Sequence, residues 1–246
     1  MSLFTLTFWG SRSFPVHRRA VASQIITNFA RPRRQLQVSA IHDHHRATPE
    51  MSASNAAKAS DGTPSKRQKL VVKEVTADMF AAPPNSVLIH ACNCYGNWGK
   101  GIAEAFRLGY PNANRNHEQF CDRGPDGMAQ VGSAQLIPPM DEDPKAPEKG
   151  NKKHYIGCLF TSEGFGARKD PPATILKHTR TSMIDLLQQI ADLKKDGKAV
   201  GEIRMCRINS VLFRTKWEET LKVLRNIELE PGMPTEVTVY ERPSKS

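Results

Sequence analysis

The sequence predicts an α/β domain: a mostly parallel or mixed sheet with helices covering both faces. Three observations carry that expectation. From about residue 70 onward, short β-branched or apolar runs alternate with longer stretches whose apolar residues recur at helical spacing. No internal repeat interrupts the alternation. The chain has 246 residues, enough for one domain of ordinary size with extensions or for two small ones.

Taken in order, Leu70–Thr76 (LVVKEVT) is apolar and β-branched and reads as the first strand. Ala82-Pro83-Pro84-Asn85 is turn chemistry, and Val87–Ala91 (VLIHA) is a short apolar run suited to a buried strand. Gly101–Leu108 reads as a helix, and Pro111, at a first-turn position, opens another through Cys121. Ala129–Ile137 and His154–Thr161 read as strands. Between them the polar, proline-rich stretch at about 138–152 reads as a mobile surface loop. Ala173–Lys195 is the strongest helix, with Ile175, Thr179, Met183, Leu186, Leu187, Ile190 and Leu193 on one face and Lys194, Lys195 and Gly197 closing it. Glu202–Ile208 reads as a strand, Thr215–Ile227 as an amphipathic helix with Trp217, Leu221 and Leu224 inward, and Thr235–Glu241 as the last strand.

The first 69 residues have a different character. Residues 1–50 hold seven Arg, no Lys and two acids, so they carry +5 of the net +10. An Arg-rich, Ser-containing, acid-poor start has the composition of a mitochondrial transit peptide; the other reading is a disordered leader. Met51 is a second candidate initiator, which would leave the protein in the cytoplasm or nucleus. Residues 51–69 read as a disordered linker ending in PSKRQKL, a solvated or nuclear-signal-like run, and 70–246 as the folded domain. The body is only mildly basic and has no aromatic–basic strand motif, so direct nucleic-acid binding is not expected. No apolar run approaches the roughly 18–20 residues of a spanning helix, and no membrane partner is expected. Five cysteines without a CxxC pair argue against a disulfide scaffold and against a structural zinc site.

In such a sheet, ligands sit beyond the carboxyl ends of strands. Two segments fall there. His90-Ala-Cys-Asn93-Cys-Tyr-Gly96-Asn-Trp98-Gly99-Lys100-Gly101 runs from a strand into a helix, with three glycines that permit close approach to a ligand. The following helix start offers amides suited to phosphate. The spacing is neither GxGxxG nor a P-loop, and a tight structural turn is an equal reading. Leu159-Phe-Thr161-Ser162-Glu163-Gly164-Phe165-Gly166 is a second strand-to-loop passage, with hydroxyls to wrap a phosphate and an aromatic to stack. Two phosphate-sized loops suggest a diphosphate ligand.

VLIHACNCYGNWGKGIAEAFRLGYPNA resembles the first ligand loop of macrodomains, most closely of the fungal ADP-ribose 1″-phosphate phosphatase type. CLFTSEGFG resembles that family's second, phosphate-wrapping loop, and INSVLFRTKWEET its late strand–loop–helix motif. The resemblance covers about Leu70 to Glu241 and implies a three-layer α/β/α macrodomain-like fold with a central mixed sheet. It implies hydrolysis of ADP-ribose 1″-phosphate to ADP-ribose and inorganic phosphate, with no cofactor. By position it places Asp78 at the adenine amino group, His90 at the catalytic histidine and Asn93 near the distal ribose, also as a catalytic residue. Cys92, Gly99, Lys100, Gly101 and Ile102 fall in the first ligand loop, and Thr161, Ser162, Gly164, Phe165 and Gly166 in the second. Asn209 and Ser210 open the ligand-closing loop. That loop departs from the family: Val211 stands where Gly is common, and Arg214-Thr-Lys216 replaces a GVP-like stretch. Val211 is β-branched in a position that favours glycine.

The residues allow plainer roles. Hydrolysis of a phosphate monoester needs positioning, neutralised oxygens and a proton-handling group. His90 suits the last as base or nucleophile, or is a hydrogen-bonded core histidine. Asp78 caps a turn or meets adenine, and Asn93 meets ribose or satisfies loop backbone. Cys92 and Cys94 pack, or flank the site. Metal-independent chemistry is expected, because no His/Asp/Glu cluster has metal-ligand spacing. The implied ligands are ADP-ribose derivatives, with ADP-ribosylated proteins as a further class, acting on a monomer. The competing functions are a module that recognises ADP-ribose without turnover and a hydrolase that removes ADP-ribose from modified proteins.

Overall fold

The computed structural model describes residues 67–140 and 153–242. The readings placed on 1–66 and on most of the 138–152 loop lie outside the described residues. The elements are β1 (Val71–Thr76), β2 (Val87–Asn93), α1 (Ile102–Gly109), α2 (Pro111–Asp122), β3 (Ala134–Ile137), β4 (Tyr155–Ser162), α3 (Pro172–Lys195), β5 (Ile203–Cys206), α4 (Trp217–Arg225) and β6 (Glu236–Glu241). The strands form one mixed sheet in the order β1-β6-β5-β2-β4-β3, parallel throughout except for the β3–β4 pair.

Alternate residues of the central strands feed two separate cores. Val87 and Ile89 of β2 and Leu159 of β4 pack with Met183, Leu186, Leu187 and Ile190 of α3 and Trp217 and Leu224 of α4. Leu88 and Cys92 of β2 and Ile156, Cys158 and Phe160 of β4 pack with Phe106 of α1 and Ala113 and Cys121 of α2. This is the expected three-layer α/β/α sandwich. Strands covered on both sides have no polar face, which is why VLIHA and YIGCLF run apolar instead of alternating. A Cβ at Gly157 of β4 would come within 2.8 Å of Leu186, so glycine there lets α3 seat on the sheet.

Several boundaries differ from the sequence reading: β5 spans Ile203–Cys206 and not Glu202–Ile208, α4 spans Trp217–Arg225 and not Thr215–Ile227, and two further differences have a visible cause. The strand expected over Ala129–Ile137 begins only at Ala134. Gly132 takes φ 80° and donates its amide to the Phe160 carbonyl at 2.8 Å, so the chain turns before it pairs. The outer edge of β3 is covered: the Ala134 amide donates to Asp185 Oδ2 (2.7 Å) and the Leu136 amide to Gln189 Oε1 (3.1 Å), both on α3. Packing also begins a little upstream of Leu70. The Leu229 amide donates to the Gln68 carbonyl at 2.8 Å, and Arg67 pairs with Glu230. Among the described residues, no helix is long and apolar enough to cross a membrane.

Because five strands are parallel, their carboxyl ends at Thr76, Asn93, Ser162, Cys206 and Glu241 lie along one edge of the sheet. The loops that follow them build the site.

Candidate functional site

β2 and β4 are neighbours, so the two glycine-containing loops emerge side by side. They are joined directly: the Cys94 amide donates to the Glu163 carbonyl at 3.0 Å. Arg168 of the second loop spans both, with its guanidinium 5.9 Å from the ring centres of Tyr95 and of Phe165.

The first loop is shaped by Asn93. Its Oδ1 accepts from the Tyr95 amide (3.0 Å) and the Asn97 amide (3.4 Å), and its Nδ2 donates to the Asn97 carbonyl (2.9 Å). Both ends of the side chain are committed to the turn, which is the backbone-satisfying reading of this residue. Beyond it the chain surfaces: Gly99, Lys100, Gly101 and Ile102 are exposed. Gly101 takes φ 64° and ψ −137°, a conformation available to glycine, and caps the start of α1 without a side-chain hydrogen bond to its first-turn amides.

The second loop closes on itself. The Asp170 amide donates to Ser162 Oγ (2.9 Å) while Asp170 Oδ2 accepts from the Glu163 amide (2.8 Å). Inside this ring a Cβ on Gly164 would lie 2.4 Å from the Arg168 carbonyl oxygen, so glycine is required for the loop to fold this tightly. Phe165 and Gly166 are exposed at its tip, and Gly166 takes φ 62°.

The late loop is anchored from below. Asn209, at φ 65°, is buried; its Oδ1 accepts from Thr161 Oγ1 (3.0 Å) and its Nδ2 donates to Thr179 Oγ1 (2.8 Å) on α3. Thr161 and Asn209, expected at the ligand, are therefore braces between β4, α3 and the loop. Ser210 is half-buried and donates to the carbonyls of Arg207 and Ile208. The strain expected at Val211 falls elsewhere. Among the non-glycine residues of this loop, Asn209 and Arg214 have positive φ and Val211 does not; it is 82% exposed. Leu212 reaches back to the first loop, its Cδ1 3.4 Å from where a Gly101 Cβ would stand. Asp78, after β1, is exposed and accepts from the Phe80 amide at 2.9 Å, capping its turn.

His90 stands apart from these loop residues. It lies three residues before the end of β2 and points, with Leu88 and Cys92, into the layer shared with α1 and α2. Its imidazole is 0% exposed, stacked on Phe106 (4.2 Å, 15°) and edge-on to Trp98 (4.7 Å). In this placement it supports the underside of the first loop through Trp98.

Beneath the loop the fold assembles groups that are far apart in the chain. Cys92 Sγ lies 3.5 Å from His90 Nε2, and Cys158 Sγ 3.9 Å from the same nitrogen. Burial alone would push the Cys92 thiol up, but the Cys158 thiol and the imidazoles of His90 and His117 outweigh it and hold Cys92 well below its ordinary value. Cys158, also buried and beside Cys92, is pushed well up. Burial lowers His117, yet Cys92 and Cys121 beside it raise it to about 10. Cys94, in the loop itself, is pushed by burial to about 12 and is no nucleophile at neutral pH. Spacing along the chain hides this cluster, because its members come from two neighbouring strands and from α2. The one signal available was that His90 and Cys92 share a strand face.

No family model matches the chain. A protein of Chaetomium globosum named ADP-ribose 1″-phosphate phosphatase is 44% identical over 165 residues, covering 67% of this chain and 88% of the relative. A protein of the same name from Aspergillus fumigatus is 38% identical over 193 residues, covering 68% and 94%. Among solved structures, the macrodomain of Mycobacterium tuberculosis DarG aligns with a TM-score of 0.51 at 18% identity, covering 71% of this chain and 99% of that one. Thermosipho africanus DarTG in complex with ADP-ribose aligns with a TM-score of 0.52 at 17% identity, covering 72% and 43%. The chain belongs to the ADP-ribose 1″-phosphate phosphatase family and carries the macrodomain fold.

Proposed function

We infer that the protein hydrolyses ADP-ribose 1″-phosphate to ADP-ribose and inorganic phosphate. The observation that carries this is the 44% identity to a relative of that name across 88% of its length. The paired loops at the ends of β2 and β4 support it, because they bring two glycine-containing turns side by side beyond the strand ends, where backbone amides suit phosphate.

We assign the diphosphate to the amides of Gly99–Ile102 and Gly164–Gly166, with Phe165 flanking the sugar and Asp78 on the adenine side. Lys100, exposed within the first loop, supplies positive charge to the phosphates. Phosphoryl transfer from a monoester passes through a loose transition state, so positioning and charge stabilisation do most of the work. An amide cradle with one lysine meets the demand for positioning and charge; the proton-handling group is not assigned to it. On this reading His90 and Asn93 are positioning residues: Asn93 sets the turn of the first loop and His90 underpins it. The ligand class is ADP-ribose derivatives as small molecules, with ADP-ribosylated proteins a further proposal.

The burial of His90 also favours a second reading, recognition of ADP-ribose without turnover. Calorimetric titration with ADP-ribose, followed by phosphate release from ADP-ribose 1″-phosphate on the same preparation, separates the two. Binding with release is the expected result. Binding without release selects the recognition module, and absence of binding refutes both.

A further inference from the structure

Between α2 and the segment that leads into β3 lies a cavity of about 450 Å³. Asn116, Gln119, Phe120 and Arg123 stand at i, i+3, i+4 and i+7, so one stripe at the end of α2 forms its first wall. The segment before β3 forms the second, with Ala129 and Ala134 buried and Gln130 exposed. The turn joining the walls depends on Gly124, where a Cβ would collide with the Met128 carbonyl. The cavity shares no lining residue with the two glycine-containing loops after β2 and β4.

We propose that this cavity is a second ligand site, which takes a free nucleoside monophosphate with its base stacked on Phe120 and its phosphate on Arg123.

Three features support the assignment. The first is an aromatic ladder that ends at the cavity. Trp98 stacks on His117 with ring centres 4.9 Å apart, His117 on Phe160 at 5.5 Å and Phe160 on Phe120 at 5.9 Å. The first three rings are buried, while Phe120 is 41% exposed and lines the cavity. A base laid on Phe120 adds one ring to the ladder and covers apolar surface that water otherwise meets. The second is charge. Arg123 is exposed and makes no ion pair among the described residues, and no acid is among those that line the cavity. One guanidinium matches one phosphate; a nucleic-acid strand needs a run of such charges. The third is hydrogen-bonding capacity. Asn116 Oδ1 accepts from Gln135 Nε2 at 3.0 Å, which leaves the Asn116 Nδ2 to donate. The side-chain amides of Gln119 and Gln130 each offer a donor and an acceptor to the edge of a base. The volume falls within the range of small-molecule sites.

The test is calorimetric titration of the full chain with guanosine 5′-monophosphate. Guanine presents a carbonyl oxygen where adenine presents its amino group, so Asp78, the proposed adenine contact, disfavours it in the cleft between the loops. One equivalent is expected to bind. Phe120→Leu, which keeps apolar bulk but removes the ring, should weaken binding about tenfold, and Phe120→Tyr should retain it. Arg123→Gln should weaken binding about fivefold and flatten its dependence on salt. Gly164→Ala, in the second loop, should leave guanosine monophosphate affinity unchanged, which separates this site from the proposed ADP-ribose site. Phosphate release from ADP-ribose 1″-phosphate should be unchanged in Phe120→Leu and Arg123→Gln. A wild-type chain that is folded by circular dichroism yet binds no guanosine monophosphate would overturn the proposal. So would binding that survives both Phe120→Leu and Arg123→Gln, or that Gly164→Ala abolishes. Tighter binding of an oligoguanylate than of the monophosphate would overturn the assignment to a free nucleotide.

Discussion

At the scale of single residues, the candidate loops are held by buried side chains that bond to other protein groups. Asn209 joins two threonines of different elements while its backbone sits in the left-handed region. These two roles can be separated by substitution. Asn209→Gly removes the hydrogen bonds but keeps the backbone at ease, and is expected to cost about 1–3 kcal/mol for the buried hydroxyls left unpaired. Asn209→Ala should cost a further ~1 kcal/mol for the left-handed conformation. Equal denaturant midpoints for the two variants would show that the backbone is not constrained there. Gly164 makes a sharper case, because a Cβ would collide with backbone oxygen and not with a side chain that can swing away. Gly164→Ala is expected to keep the fold and to weaken ADP-ribose binding by on the order of tenfold, as misplaced cradle groups do. His90→Ala should behave in the opposite way. It removes a ring packed between Phe106 and Trp98, so a loss of about 2–5 kcal/mol in unfolding free energy is expected. A variant of unchanged stability that had lost only phosphate release would instead restore His90 as the proton-handling group.

At the scale of elements, the second loop is a closed unit whose two clasps depend on each other. Ser162 accepts from the Asp170 amide, and Asp170 holds the Glu163 amide, so opening either clasp frees the residue that makes the other. Ser162→Ala and Asp170→Ala should therefore be non-additive. A double-mutant cycle on ADP-ribose affinity is expected to show a coupling of about 0.5–3 kcal/mol; strict additivity would mean that the clasps act independently. The elements themselves were largely legible. Apolar periodicity over Ala173–Lys195 picked out α3 and its buried face, because a long amphipathic helix writes its packing into its own sequence. The β3 boundary was not legible. Ala129–Val131 have strand-like composition, and only the bond from Gly132 to Phe160, across the sheet, ends the strand. The loops were visible from their glycines, yet the roles of Asn93, Thr161 and Asn209 within them were not. Each is set by a partner that the sequence does not place beside it.

At the scale of the whole molecule, parallel topology brings separate stretches of sequence to one edge and sorts their charges. At the β1 and β6 ends, Arg207 pairs with Glu74 and Glu241, so that flank is internally neutralised. At the β2 and β4 ends, Lys100 and Arg168 are exposed on the loops. On the proposed reading, a ligand with phosphates at one end and a base at the other would lie with its phosphates toward β2 and β4 and its base toward Asp78. Such attraction is screened by salt, and ADP-ribose 1″-phosphate carries more negative charge than ADP-ribose. Its affinity is therefore expected to fall more steeply with ionic strength. Lys100→Met should weaken binding by roughly three- to fivefold at low salt, as loss of a surface charge contact does, and should flatten the salt dependence. Lys194→Met, in the last turn of α3, serves as the control for net charge alone and should change neither quantity. If the two variants show the same salt dependence, the cradle draws its ligand through backbone amides alone and Lys100 points away from the phosphates.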